Sequence, residues 1–259
     1  MAKSTNTSYD ATSVWAVIPT YDERSNLPHL LDRIWAAFPT ITVLIVDDGS
    51  PDGTGSYVRA RQVHEPRLQL HERSGKLGLG SAYTTGFSIA LAAGATVVLQ
   101  MDADLSHDPA EIPAMVASTL TADLVIGSRY VQGGRIENWP HFRRLLSRAA
   151  NQYARRVLGL RIRDVTTGYR AWNAASLASL PLDQIRSSGY AFLTEMVMLA
   201  SLQGFVITER PITFRDRTQG SSKMRAGEVV RGVTMLARIR LTSRRHPAPV
   251  HPTPICGRR

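Results

Sequence analysis

The sequence predicts an α/β fold in which a mainly parallel sheet is flanked by helices. Short β-branched or apolar runs alternate with segments of helical periodicity through the first half of the chain, the pattern of βαβ units. Three of these runs end in polar clusters, PTYDE, DDGSPD and DADLSH. In a parallel sheet such clusters gather at one carboxyl edge, where open α/β sheets bind ligands. With 259 residues, 43% of them hydrophobic, the chain is long enough to bury a sizeable core.

In order, VWAVI (14–18) reads as a strand. After Ser25 as a helix cap, Leu27, Leu30, Leu31, Ile34, Trp35 and Phe38 are spaced as one face of a helix. TVLIVDD (42–48) is the next strand, GSPDGT is turn chemistry, and LQL (68–70) is a third strand. The loop SGKLGLG leads into a helix that runs to about Ala93; it lacks the spacing and the Lys-Ser/Thr ending of a phosphate-binding P-loop, so its glycines are expected to shape a turn. TVVLQM and ADLVIGS (122–128) are two more strands, and no internal repeat is evident.

Charge is divided unevenly. Residues 1–128 carry 8 Lys+Arg against 14 Asp+Glu, and residues 129–259 carry 23 against 7, giving net charges of −6 and +16. An acidic half joined to a basic half suggests a metal-bearing site beside a surface that meets phosphates, nucleic acid or anionic lipid. Only Lys3, Lys76 and Lys223 accompany 28 arginines, so compositional bias also explains part of the basic balance. Cys256 has no partner for an intrachain disulfide, MAKSTNTSYD lacks the apolar core of a signal peptide, and a cytoplasmic location is expected. YAFLTEMVMLASLQGFVI is broken by Glu195 and Gln203, so no run reaches the roughly 18–20 apolar residues of a membrane span.

The run VVLQMDADLSH passes from a strand into Asp102 and Asp104. In an extended segment residues i and i+2 share a side, so the two carboxylates would converge and repel unless a cation lies between them. Mg²⁺ or Mn²⁺ suits such a pair, because water and substrate phosphates complete the octahedron. The plain alternative is a solvated acidic loop.

PTYDERSNLP, VDDGSPDGT, DADLSHDP, GSRY (127–130), DVTTGYRAW (164–172), GYAF with Glu195, and RTQGSSK (217–223) together resemble the polyprenyl-phosphate (dolichol-phosphate) mannose synthase group of the family 2 glycosyltransferases, over residues 14–225 or so. The resemblance implies a Rossmann-like GT-A fold, a GDP-mannose donor, a divalent metal and a polyprenyl monophosphate acceptor. It implies that Pro19, Tyr21, Glu23, Val46 and Asp48 line the nucleotide pocket, with Tyr21 near the base and Asp48 facing base or ribose. It carries Asp102, Ala103 and Asp104 over as the metal and donor segment. Where some relatives have a Gln near the metal this chain has Ser106, which leaves the third protein ligand open. An aromatic offers a stacking face and a carboxylate accepts from ring nitrogens or hydroxyls; the plainer alternative for Tyr21 is a strand-end aromatic that caps the core.

A phosphate monoester with a second pKa near about 6 is already largely anionic at neutral pH, so transfer to it needs no strong general base. The demand falls on charge that develops on the diphosphate leaving group. A metal with Arg129, Arg217 and Lys223 would meet it, unless the arginines are ordinary surface charges. The chain lacks the Gln-x-x-Arg-Trp box associated with processive polysaccharide synthases.

Residues 139–163 would align Phe142, Leu145, Leu146, Ala149, Tyr153 and Val157 beside Arg143, Arg144, Arg148, Arg155 and Arg156 in a helix. That suits either an interfacial helix at a membrane surface or an amphipathic core helix with a solvated arginine face. A second candidate spans 224–240.

The expected organisation is a disordered segment 1–12, a glycosyltransferase domain 13–223, an amphipathic helix 224–242 and a disordered tail 243–259. The leading function is metal-dependent, inverting mannose transfer from GDP-mannose to a polyprenyl phosphate, peripheral on the cytoplasmic face of the plasma membrane, with room for a separate membrane-anchoring protein. The nearest alternative uses UDP-glucose or another donor. A nucleic-acid or membrane-binding module is the distant alternative; it lacks the interleaved aromatics of a base-stacking platform and has no use for the acidic pair.

Overall fold

The computed structural model describes residues 13–185, 187 and 189–216. Arg217, Lys223, the segment 1–12, the stretch 224–242 and the tail 243–259 lie outside the described residues.

The chain runs β1 (Val14–Thr20), α1 (Leu27–Ala37), β2 (Thr42–Asp47), α2 (Thr54–Gln62), β3 (Leu68–Glu72), α3 (Leu79–Ala92), β4 (Val97–Gln100), α4 (Ile112–Ser118), β5 (Leu124–Ser128), β6 (Arg135–Glu137), α5 (His141–Leu158), β7 (Arg170–Asn173), α6 (Ala174–Ala178), α7 (Gly189–Leu202), β8 (Ile207–Pro211) and β9 (Thr213–Arg215). Seven strands form one sheet in the order β3-β2-β1-β4-β7-β5-β8, and β6 pairs with β9 beside it. Neighbouring strands are parallel except at β7, which runs antiparallel to both β4 and β5.

Alternating residues of β1 and β2 feed two cores, one on each face of the sheet. Val17 and Val46 pack with Phe87 of α3 and with Phe192 and Met196 of α7. Ile18 and Ile45 face the other way, against Leu30 and Ile34 of α1 and Met115 of α4. Both faces of the sheet are therefore covered, which is why its strands read as nearly continuous apolar runs. Helix α3 lies unusually close to the sheet: a Cβ on Gly86 would stand 2.3 Å from Val17 Cγ1.

The five strands expected in the first half are present, as are helices over 27–37 and 79–92. Ser25 does not cap α1. Asn26 holds the capping position without a side-chain cap bond, and its amide donates instead to Glu23 Oε2 at 2.7 Å. Pro28 near the helix start removes one of the N–H groups that a cap would satisfy. The glycines of SGKLGLG do shape a turn, with Gly78 at φ +98° just before α3.

Candidate functional site

The carboxyl ends of β1, β2, β4 and β5 share one edge, and the loop preceding the antiparallel β7 arrives at the same edge. Tyr21 follows β1, Asp48 follows β2, the acidic box follows β4 and Arg129 follows β5.

Asp48 is held rather than loose. Its carboxylate pairs with the buried Arg73 guanidinium at 3.0 Å and accepts the Gly78 N–H at 3.2 Å. The turn before α3 thus orients the carboxylate expected to meet the nucleotide. Tyr21 is half-buried, and the ammonium of Lys76 sits 4.1 Å from the centre of its ring. Pro19 and Glu23 are half-buried at the same edge, and the Glu23 N–H donates to Thr54 Oγ1. Val46 departs from the expectation. Its side chain is fully buried in the core beneath α3, so only its backbone belongs to the edge.

The acidic pair does not sit on an extended segment. β4 stops at Gln100, residues 103–105 bend, and Leu105 adopts φ +63°. The cause is local: Asp104 Oδ1 accepts the N–H of Ser106 at 3.1 Å, a side-chain turn that competes with continuing the strand. Ala103 is buried in the core on the face covered by α1 and α4.

Around Asp102 the packing is dense. The Tyr83 hydroxyl lies 3.1 Å from both the Met101 carbonyl and Asp102 Oδ1 and donates toward them. Burial pushes this phenol well above its ordinary pKa, with the Asp102 charge adding to the effect, so it stays a donor. The Asp102 N–H donates to Nδ1 of the fully buried His107 at 3.1 Å. Burial lowers the His107 pKa against the opposing pull of Asp102 and Asp104, which leaves the ring neutral near pH 7. A Cβ on Gly168 would come within 3.0 Å of Asp102 Oδ1, so only glycine leaves the carboxylate its present place.

The donor set fits a hard divalent ion. Asp102 and Asp104 supply carboxylate oxygens, and Ser106 Oγ is buried beside them without a hydrogen-bond partner. No group of three or more His, Cys, Asp or Glu side chains gathers among the described residues to hold a metal, at this edge or elsewhere, so the protein part of the set is the two carboxylates and the Ser106 hydroxyl. A site with two carboxylates suits Mg²⁺ or Mn²⁺, which keep water and substrate phosphates in the remaining positions.

Arg129 is buried, and its fork is engaged. Nε and Nη2 each lie 2.7 Å from an oxygen of Asp164, and Nη2 also reaches Thr166. Its donor edge is therefore turned to the 164–169 loop, while the Tyr130, Trp139 and Phe214 rings lie within 5.3–5.7 Å of its guanidinium carbon. Arg170 anchors the same loop, donating to the carbonyls of Thr167, Val165 and Leu193, and burial lowers its pKa to about 10. It remains charged at pH 7 and ties the loop to α7.

His107, Tyr83, Arg73, Lys76 and Gly168 were not singled out by sequence reasoning as site residues. Lys76 carried a usable signal, the rarity of lysine in this chain. The others act through contacts across the fold that no local pattern encodes.

In helix α5 the expected apolar stripe faces outward. Phe142 is 75% exposed, Leu145 68% and Leu146 38%, while the opposite face buries Asn151 and Ala154. The stripe is thus exposed from Phe142 to Tyr153, and its last member, Val157, packs against the core. Among the described residues no helix is long and apolar enough to cross a membrane.

An open α/β sheet with an aromatic, a held carboxylate and an acidic box along its carboxyl edge is the arrangement of an α/β protein with a ligand site at that edge. Residues 15–180 match Glycosyl transferase family 2, and the chain belongs to that family. Within it the chain groups with the polyprenyl-phosphate mannose synthases. It is 44% identical to the undecaprenyl-phosphate mannosyltransferase of Micrococcus luteus over 231 residues, 89% of this chain and 95% of that one. It is also 44% identical to the polyprenol monophosphomannose synthase of Mycolicibacterium smegmatis over 215 residues, 82% of this chain and 81% of that one. Among solved structures, a mannosyltransferase from Pyrobaculum calidifontis in complex with GDP-Man and Mn²⁺ superposes with a TM-score of 0.54 at 19% identity, covering 81% of this chain and 58% of that one. The fold is GT-A, and the chain is a glycosyltransferase.

Proposed function

We propose that this enzyme transfers mannose from GDP-mannose to a polyprenyl monophosphate, with inversion at the anomeric carbon, at a membrane surface. The observation that carries the reading is nearly full-length likeness to two enzymes whose names join mannose transfer to a polyprenyl phosphate. The GDP-Man and Mn²⁺ of the Pyrobaculum structure support the choice of donor and metal class.

Tyr21 stacks on the base and Asp48, fixed by Arg73 and Gly78, accepts from base or ribose. Asp102 and Asp104 would hold Mg²⁺ or Mn²⁺, which when bound offsets the charge of the departing diphosphate. The acceptor phosphate is already an anion, so no side chain has to remove a proton from it. The protein's task is to bring two anionic substrates together and exclude water. Arg217 and Lys223 are assigned to the charge that develops during transfer. Arg129 contributes a fixed positive charge and pins the 164–169 loop over Asp102.

The acceptor's hydrocarbon tail leaves a bilayer at a cost of roughly 0.8 kcal/mol per CH₂, so the enzyme goes to the lipid. The outward stripe of α5, flanked by exposed Arg148 and Arg156, is the proposed docking face. The proposed location is the cytoplasmic face of the plasma membrane, peripherally bound or held by a separate membrane-anchoring protein. A donor panel decides the donor: with Mn²⁺ and a short polyprenyl phosphate, GDP-mannose should turn over at least about a hundredfold faster than UDP-glucose, a discrimination of the size that buried hydrogen-bonding groups can supply. Equal or reversed rates would replace GDP-mannose with the other donor.

A further inference from the structure

We propose that Tyr83 is a positioning residue for the metal-binding carboxylate of Asp102, its buried hydroxyl holding Oδ1 from behind while the carboxylate faces the ion. The proposal rests on the reading of Asp102 as a metal ligand.

The Tyr83 hydroxyl lies 3.1 Å from the Met101 carbonyl and 3.1 Å from Asp102 Oδ1, so the contact needs no movement of the carboxylate. Both neighbours only accept, and the hydroxyl is therefore the donor. A carboxylate that binds a cation is ionised, and a hydrogen bond to an ionised acceptor is roughly twice as strong as one to a neutral acceptor, which favours Asp102 for the single proton. The Asp102 side chain is 37% exposed whereas Tyr83 is fully buried, so the donor stands on the inner side of a carboxylate that opens toward the edge.

The phenol is itself fixed. Its ring stacks on Phe87 with centroids 5.7 Å apart and on Phe192 with centroids 6.0 Å and planes 4° apart. Helix α3, which carries it, is seated by close approach, with Gly86 against Val17 and Gly80 against Phe192. The same helix begins at the turn whose Gly78 N–H binds Asp48, so one element sets the places of the nucleotide-facing and the metal-facing carboxylates. Donors behind a metal-binding group fix its orientation before the ion arrives, and their loss typically weakens metal binding about 10- to 100-fold.

The test measures Mn²⁺ binding directly, from the paramagnetic resonance signal of free Mn²⁺ at a fixed GDP concentration, against a titration without protein and with no acceptor present. Tyr83→Phe deletes the hydroxyl and keeps the ring and its stacking. The expected result is a Kd for Mn²⁺ raised about tenfold or more, with kcat recovered by excess Mn²⁺. A hydroxyl with a structural role alone would lower the melting temperature and leave the Mn²⁺ Kd in place. A Kd within about twofold of the parent in folded Y83F overturns the proposal and leaves the metal site standing. A parent protein that binds no Mn²⁺ with GDP overturns both.

Should Y83F fail to fold, two replacements of Tyr83 that match its size decide: para-aminophenylalanine, which keeps a donor in the hydroxyl's place, and para-fluorophenylalanine, which does not. The proposal requires Mn²⁺ binding close to the parent's with the amine and about tenfold weaker with the fluorine. Equal Kd values for the two overturn it.

Discussion

Asp104 is 8% exposed and binds the N–H of Ser106 two residues on, so its carboxylate is oriented by its own turn. Asp104→Ala should abolish transfer while the circular dichroism spectrum and melting temperature stay near the parent's, because the change removes a metal ligand from an edge loop and not a core group. Full activity in that variant, with the parent insensitive to EDTA, would remove the metal from the account. Gly168→Ala should act through its neighbour: its Cβ would sit 3.0–3.2 Å from the Asp102 carboxylate oxygens, so activity at limiting Mn²⁺ should fall about tenfold with little change in stability. Arg170→Leu should do the reverse, losing about 3 kcal/mol or more in urea unfolding, since it strands three carbonyls that the buried guanidinium now satisfies. The acidic box was legible because two carboxylates at a strand end are chemistry in themselves. Gly168 and Tyr83 were not legible as site residues, because a glycine's use lies in the side chain that crowds it and a buried tyrosine's in what its hydroxyl reaches across the fold.

At the scale of elements, βαβ alternation was readable through β5 because each strand is a short apolar run closed by turn residues. The insertion of β7 between β4 and β5 was not, since RAWN is four residues long and its partners lie far away in sequence. Periodicity alone placed α5 but left its apolar face facing either core or solvent; exposure of Phe142, Leu145 and Leu146 decides that for the start of the helix, while Val157 near its end meets the core. Replacing these three with serine should leave the melting temperature nearly unchanged. It should cut affinity for anionic vesicles at least tenfold, about 1.4 kcal/mol, and slow turnover of a long-chain acceptor while sparing a water-soluble short-chain phosphate. A triple variant that unfolds would return the stripe to a structural role, and one that still binds vesicles would move docking elsewhere, with 224–240 next to test.

For the whole molecule, the division of charge into −6 before residue 129 and +16 after it suits the proposed division of labour between an edge that would hold a metal and a surface that would face anions. Vesicle binding should therefore weaken steeply as salt rises, because arginines near an anionic leaflet contribute about 1 kcal/mol each only within a Debye length, about 10 Å at 0.1 M. Binding indifferent to salt would assign the attraction to apolar contact alone. The most direct test of the central claim supplies purified protein with GDP-mannose labelled in the sugar, Mn²⁺, and either a polyprenyl monophosphate or the matching polyprenol. Label should move into the lipid phase with the monophosphate only, with release of GDP and full inhibition by EDTA. Transfer to the free polyprenol, or no transfer from GDP-mannose while UDP-glucose delivers its sugar to the monophosphate, would contradict it.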